Sequence, residues 1–353
     1  DEHDESLQEE RAPTWHARDV AIERASRQGA ACVLVSPCPT VTALHWAGAR
    51  VRRPDPDSLR AGWPTVEVID RSDELPWKRS LLTSPLIAAL RDPARRVVCV
   101  INTVGRARLV ACRGCRALQR CERCDAAVAQ ADDGRFVCAR CTAERPPVCL
   151  SCGGSAMALV RPGVSRLREE LEAAANRPVA MVTAAVDEVP EADVYVGTEA
   201  VLHRVRSVDV VAFLDFDAEL LAPRYRSAEQ ALALVVRAGR LVGARGSGGA
   251  VMVQTFEPQH AVLTAVVAGD PFPVFAAEAE RRSLLGLPPY RALASVDGAG
   301  ADEFVESTGL EHAATADGVL VRADDWITLG TALAEAPRPK GSRLRVAVDP
   351  PRV

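Results

Sequence analysis

The chain has 353 residues, of which 48% are hydrophobic and 25% charged, with a net charge of −4; that is enough material for two or three domains with cores of their own. Its apolar stretches all fall short of the roughly 20 residues that cross a bilayer, so no membrane partner is expected, and the mild acidity gives no global case for nucleic acid. Lysine occurs only at Lys78 and Lys340, preceded by Trp77 and Pro339, so these residues supply no G-x-x-x-x-G-K-[ST] phosphate loop and ATP is not expected as a ligand.

Taken in chain order, the apolar periodicity predicts a helix over 16–27, a strand over 31–35, a helix after Pro39 and a strand over 65–69. The Pro- and Arg-rich stretch 52–64 reads as a loop. A helix over 78–90 and a strand over 96–101 lead into a cysteine-rich stretch. Beyond it come a helix over 164–175 and strands over 179–182, 194–197 and 208–214, followed by a helix over 228–242 and a strand over 251–256. Buried strands alternating with helices predict a parallel sheet covered on both faces. A helix over 275–285 ends at Gly286-Leu287-Pro288-Pro289, and strand, helix, strand, helix, strand over 292–348 predict a small separate α+β domain. Cys32 and Cys99 lie in apolar runs and read as core; Cys38 has no partner in sequence.

The other eight cysteines form four C-x-x-C pairs, Cys112/Cys115, Cys121/Cys124, Cys138/Cys141 and Cys149/Cys152, spaced 2-5-2-13-2-7-2. Each C-x-x-C turn points two thiolates at one position and tetrahedral zinc needs two turns, so the array predicts two closed zinc sites of four cysteines each. Disulfides would need an oxidising compartment, and iron–sulfur runs pack cysteines more closely and often end in Cys-Pro, whereas Thr142 and Gly153 follow here. Asp132-Asp133-Gly134 reads as a hairpin turn between 126–128 and 135–137. That hairpin would place Cys121, Cys124, Cys138 and Cys141 around one ion, leaving Cys112, Cys115, Cys149 and Cys152 for the other. Sequential pairing, with only residues 116–120 between the two turns, ranks second. Four sulfurs leave no position for a substrate water, so the sites are expected to be structural and not catalytic.

Between residues 95 and 125 eight arginines stand against Glu122 and Asp125. Such an excess is either a solvated face or a nucleic-acid footprint, and the candidate phosphate contacts are Arg106, Arg108, Arg113, Arg116, Arg120 and Arg123. Asp1, Glu2 and His3 could make a divalent-metal corner, with polar loop residues as the plainer reading.

The cysteine array resembles that of the bacterial primosomal protein N′ (PriA) replication-restart family. So do Asp1-Glu2-His3-Asp4 and, eleven residues on, His16-Ala17-Arg18-Asp19 (family D-E-E-H-D and H-A-R-D). Gly197-Thr198-Glu199, Asp215-Phe216-Asp217, Pro223-Arg224-Tyr225-Arg226-Ser227-Ala228-Glu229, Gln254-Thr255-Phe256 and Gly286-Leu287-Pro288-Pro289-Tyr290 follow the family's landmarks in order. Where the family has G-S-A-T-P-S this chain has Val35-Ser36-Pro37-Cys38-Pro39-Thr40, and Asn102-Thr103-Val104-Gly105-Arg106-Ala107-Arg108 replaces N-R-R-G-Y-A-P. Leu241 and Ala244 stand where the family's Q-V-A-G-R-A-G-R carries two arginines that stabilise phosphoryl charge.

The resemblance implies an α/β fold: helicase-like parallel-sheet lobes, an inserted zinc-ribbon module with two four-cysteine sites, and a small C-terminal α+β domain. The expected divisions are 1–76, a remnant of a first lobe lacking its N-terminal part; 77–270, a second lobe with the zinc module at 106–160; and 271–353. The implied function is a DNA-binding replication-restart protein that recognises stalled or abandoned forks, with two zinc ions and no helicase activity. Its partners would be branched or forked DNA, primosome proteins and single-strand-binding proteins, and its location the cytoplasm at the nucleoid. The alternative is an active ATP-dependent 3′-to-5′ helicase whose phosphate loop lies upstream of Asp1. A zinc-ribbon protein of transcription or RNA metabolism would fit the cysteines alone.

Overall fold

The computed structural model describes the chain except for residues 10, 74–80, 102–109, 132, 139, 160–163, 184–187, 316–317, 340–342 and 352–353. The described residues form two compact units, one from residues 54–272 and one from 1–53 together with 273–353.

The first of these is built on a six-stranded parallel sheet: β1 (Thr65–Asp70), β2 (Val97–Val100), β3 (Val179–Val182), β4 (Val194–Gly197), β5 (Val210–Phe213) and β6 (Ala250–Thr255), in the order β3-β4-β2-β5-β6-β1. The sequences VVCV, VYVG, VVAF and AVMVQT are buried at every position, which is why they read as continuous apolar runs without alternation. Helices Ser84–Arg91 and Val164–Ala175 cover one face, where Leu86, Leu90, Leu167 and Leu171 meet Val97, Cys99, Val196 and Ala212. Helix Ser227–Val242 packs on β5 and β6. Gly239 lets it approach residue 64: a Cβ there would lie 2.7 Å from the Pro64 ring. Cys99 is fully buried and burial pushes its thiol up to about 12, an inert core group. The stretch 52–64, expected as a loop, contains helix Pro56–Gly62, capped by Asp55 accepting from the Ser58 amide with Pro56 in the first turn.

The second unit carries a four-stranded antiparallel sheet, β7 (Ala292–Asp297), β8 (Glu311–Ala314), β9 (Val319–Ala323) and β10 (Arg345–Val348), ordered β8-β9-β7-β10, with helices Ala301–Thr308 and Trp326–Glu335 packed on it. β8 was not expected, because all four of its residues are exposed and no alternation marks it. Helices Ala17–Gln28 and Val41–Ala47 lie near the positions expected for them. The expected strand over 31–35 joins no ladder among the described residues. A strand is stable only beside another, and Val33 and Val35 are 81% and 70% exposed; Cys32 is likewise half-buried and not core.

Glu2, one of the acids considered for a metal corner, is buried in a clasp. Its carboxylate accepts from the Arg18 guanidinium at 3.2 Å, the Thr40 amide at 2.6 Å and the Thr40 hydroxyl at 3.0 Å. Arg18 also forks onto Asp19 at 2.9 and 3.2 Å. His3 Nδ1 lies 2.7 Å from the Ser36 hydroxyl. These acids fasten the segment around residue 40 to the start of the chain.

Candidate metal centres

The cysteines lie between β2 and the helix Val164–Ala175 as four copies of one turn. In each, the residue after the second cysteine takes a left-handed conformation: Arg116 (φ 66°), Asp125 (φ 58°), Thr142 (φ 55°) and Gly153 (φ 72°). Each of these residues donates its amide at 2.9 Å to the carbonyl of the first cysteine of its pair. The first cysteine's own amide closes the turn onto Ala117, Ala126, Ala143 or Gly154, at 2.8–3.0 Å. The left-handed residue turns the chain back so that both sulfurs point the same way. Only one of the four is glycine, so three side chains are held in a region that costs roughly 1–2 kcal/mol each.

Two short ladders bring the turns together. Strand Val128–Gln130 pairs with Phe136–Cys138, which pairs in turn with Glu144–Arg145, and this hairpin carries the inner turns. Val110–Cys112 pairs with Met157–Leu159 and gathers the outer ones. The eight sulfurs therefore fall in two groups, Cys112/Cys115/Cys149/Cys152 and Cys121/Cys124/Cys138/Cys141, with the atoms of each group within 4.8 Å of one another. Cross-turn sulfur separations are 3.6 Å (Cys112–Cys152), 3.5 Å (Cys115–Cys149), 3.4 Å (Cys121–Cys141) and 3.4 Å (Cys124–Cys138). Four sulfurs at about 2.3 Å from a tetrahedral centre stand about 3.8 Å apart, so both groups could close on a metal ion with little movement.

Donors favour thiolate at Cys112, Cys121 and Cys149, the first cysteines of three turns, whereas burial and the neighbouring cysteines push the Cys115, Cys124 and Cys138 thiols up. The Gly114 amide reaches Cys112 Sγ at 3.3 Å and the Arg123 amide reaches Cys121 Sγ at 3.4 Å. Burial pushes the Cys149 thiol up, but the Cys152 and Ser151 amides, Cys115 and Gln119 outweigh it and bring the group down to about 6. Cys121 is brought to about 7 in the same way, burial being outweighed by the Arg123 and Cys124 amides and the Cys141 sulfur.

Three residues that sequence reading passed over support the clusters. Gln119 is buried, donates to Cys149 Sγ at 3.4 Å and accepts from Arg145 at 3.1 Å, an outer partner of the kind that orients a metal ligand. Arg145 also lies over the Phe136 ring, 4.8 Å from its centroid. Arg140 clamps the inner cluster to the α/β core, donating to the carbonyls of Cys124 (3.3 Å), Ala222 (3.1 Å) and Arg224 (2.7 Å). No spacing rule marks these side chains.

Of the six arginines expected at phosphates, Arg106 and Arg108 lie outside the described residues. Arg113 and Arg123 are exposed and Arg116 is half-buried. Arg120 is turned inward between Asp125, at 2.7 Å, and Glu257. Burial would lower its pKa, but those two carboxylates carry it above its ordinary value.

At the carboxyl ends of β1, β5 and β6 a second polar group gathers beside the inner cluster. Asp217 accepts from the Thr255 hydroxyl and from the Phe256 amide at 3.0 Å, and burial, with Asp215 close by, pushes it up to about 7. Arg71 stands 3.7 Å from Asp215 and covers one face of Phe256, 4.4 Å from the ring centroid.

This geometry lies inside the stretch shared with known proteins. A "Replication restart protein PriA" of Rickettsia conorii is 26% identical over 333 residues, 86% of this chain and 51% of the relative. The protein of the same name from Thermotoga maritima is 29% identical over 317 residues, covering 84% of this chain and 43% of its own length. A "Probable replication restart protein PriA" of Mycobacterium bovis is 30% identical over 316 residues, 84% and 48% of the two chains. The chain belongs to the PriA family. It spans about half the length of the curated PriA relatives it matches. No protein-family model matches the chain. The mixed α/β fold with its parallel sheet and paired cysteine clusters agrees with PriA membership. Among the described residues no helix is long and apolar enough to cross a membrane.

Proposed function

We propose that this chain acts in replication restart as a DNA-binding platform that recognises stalled or abandoned forks, holds two structural zinc ions and does not unwind DNA. The observation that carries the reading is the PriA similarity over 84–86% of the chain, a stretch that includes two clusters offering sulfur alone. A set of four thiolates at tetrahedral spacing suits zinc, and the ion would supply cross-linking energy to a module whose strands have only two or three residues. Cys112, Cys115, Cys149 and Cys152 would hold one ion, and Cys121, Cys124, Cys138 and Cys141 the other.

The absence of unwinding is supported by chemistry that these residues do not offer. Phosphoryl transfer in a nucleotide-driven motor needs a phosphate cradle, a metal-holding acid and a charge-stabilising arginine. In the register read from the sequence, Leu241 and Ala244 stand where the family's arginines are expected, with Arg240 the arginine left in that stretch, and the Glu2 carboxylate is engaged by Arg18 and Thr40. Exposed Arg113 and Arg123 are the phosphate contacts best supported among the described residues. Forked DNA, primosome proteins and single-strand-binding proteins are the partners this reading carries. The test is metal analysis together with ATPase and unwinding assays on the full-length protein, with and without forked DNA. Two zinc ions per chain, fork binding and no DNA-stimulated hydrolysis are expected. ATP-dependent unwinding at ordinary enzyme rates would establish the helicase reading instead.

A further inference from the structure

The two four-sulfur clusters are alike in their ligands and unlike in their cover. In the inner one Cys121 and Cys138 are buried and Cys124 and Cys141 half-buried, whereas in the outer one Cys112 and Cys149 are buried and Cys115 and Cys152 exposed. The inner sulfurs belong to an apolar cluster with Val110, Ala126, Val128 and Phe136. Arg140, the Ala127 amide on the Leu221 carbonyl and the Arg120–Glu257 ion pair hold that half of the module against the α/β core.

Glycines flank the outer sulfurs instead. A Cβ at Gly154 would stand 3.4 Å from Cys152 Sγ and 3.7 Å from Cys112 Sγ, and one at Gly114 would stand 3.7 and 3.9 Å from Cys112 Sγ and Cys152 Sγ, so on both of these sides the cluster has no side chain over it. Oxidation of cysteine follows thiolate character and exposure, and here both meet in one cluster and not in the other. Each exposed sulfur also has a buried one from the opposite turn within reach: Cys115 Sγ lies 3.5 Å from Cys149 Sγ, and Cys152 Sγ lies 3.6 Å from Cys112 Sγ.

We infer that the outer cluster, Cys112, Cys115, Cys149 and Cys152, is an oxidative modification site at which a peroxide joins the two turns by a disulfide and frees the metal ion, while the inner cluster keeps its own. The inference rests on the two-zinc reading above and adds a reaction and a reagent class to one of the two sites. The Cys115 or Cys152 thiolate attacks one oxygen of hydrogen peroxide; an S–O bond forms, the O–O bond breaks and hydroxide leaves, giving a sulfenic acid. The buried thiolate of the facing turn then attacks that sulfur, so that an S–S bond forms, the S–O bond breaks and a second hydroxide leaves. Two electrons pass from the two sulfurs to the peroxide. Two thiolates remain, too few for a closed site. Loss of the ion would loosen the ladder between Val110–Cys112 and Met157–Leu159, where the chain enters and leaves the module.

The test uses the full chain loaded with zinc, first analysed for metal and then treated with excess hydrogen peroxide. Release is followed with a chromogenic chelator, and the oxidised cysteines are mapped by alkylation and mass spectrometry. One ion should leave at least about tenfold faster than the other, a barrier difference of about 1.4 kcal/mol. The fast phase should oxidise cysteines of the outer cluster alone, and a thiol reductant with added zinc should restore the lost ion. Cys115→Ser combined with Cys152→Ser should leave one ion per chain, released only in the slow phase. Release of both ions at one rate, fast-phase oxidation at Cys121, Cys124, Cys138 or Cys141, or a fast phase persisting in the double variant would overturn the assignment and leave the zinc reading standing. Fewer than two zinc ions per chain before oxidation would remove the zinc reading and the assignment together.

Discussion

Arg140 is one of the side chains that join the inner cysteine cluster to the α/β core, beside the Arg120–Glu257 ion pair, and its removal tests its share of that attachment. Its guanidinium donates to the carbonyls of Cys124, Ala222 and Arg224 at 3.3, 3.1 and 2.7 Å and approaches the Ser227 hydroxyl at 3.4 Å. Hydrogen bonds from a charged donor contribute about 1.5–3 kcal/mol each. The two shorter ones would total roughly 3–6 kcal/mol, but Arg140 is half-buried and water can replace part of what is lost, leaving about 2–3 kcal/mol for Arg140→Ala. The nearest independent reporter is the Ala127 amide, which donates to the Leu221 carbonyl at 3.1 Å. Opening made easier by that amount should speed its hydrogen exchange roughly 30- to 150-fold. Arg140→Lys should recover less than half, since a single ammonium cannot present a planar fork to several carbonyls. Metal content should stay at the wild-type value, because these contacts of Arg140 are to carbonyls and a hydroxyl and not to sulfur. Unchanged exchange at Ala127 with metal retained would refute the view that this guanidinium joins the module to the core.

Because the two clusters share no sulfur, Cys121→Ser should leave one zinc ion per chain by native mass spectrometry; loss of both would show that the sites are not independent. Replacing Arg113 and Arg123 by glutamine should reduce the slope of log affinity against log salt on forked DNA by up to about 2, whereas Arg120→Gln should leave the slope unchanged because its charge is spent on Asp125 and Glu257. Asp217, raised to about 7 by burial and by Asp215, binds its proton more tightly in the folded state than in the unfolded one. Its contribution is therefore fully present below about pH 4 and is lost as pH climbs to about 7. Asp217→Asn should remove that component from the pH dependence of melting, measured calorimetrically above the pH at which metal is released; an identical profile in the variant would rule the assignment out.

Local chemistry carried much of this protein into its sequence. A C-x-x-C turn is specified within six residues, so four copies announce sulfur clusters whatever surrounds them, and Asp133-Gly134 between the segments 126–128 and 135–137 set which turns face each other. Strands such as VVCV and VYVG are apolar throughout because both faces of the sheet are covered, and this is legible without knowing what covers them. The cap Asp55-Pro56 was equally legible, although composition argued for a loop and obscured it. Tertiary structure alone decided which charges are available. Arg113 and Arg120 are equivalent in a composition count, yet one faces solvent and the other is held by Asp125 and by Glu257, which follows β6 far along the chain. Glu2 read as an acid for a metal, and the fold closed Arg18 and Thr40 around it. The strand expected over 31–35 joins no ladder among the described residues, while β8, with every side chain exposed, became a strand because β9 lay beside it. A sequence sets the charge and shape of each side chain, but the partner that neutralises a charge or completes a ladder comes from a distant segment, and its position depends on how the whole chain packs.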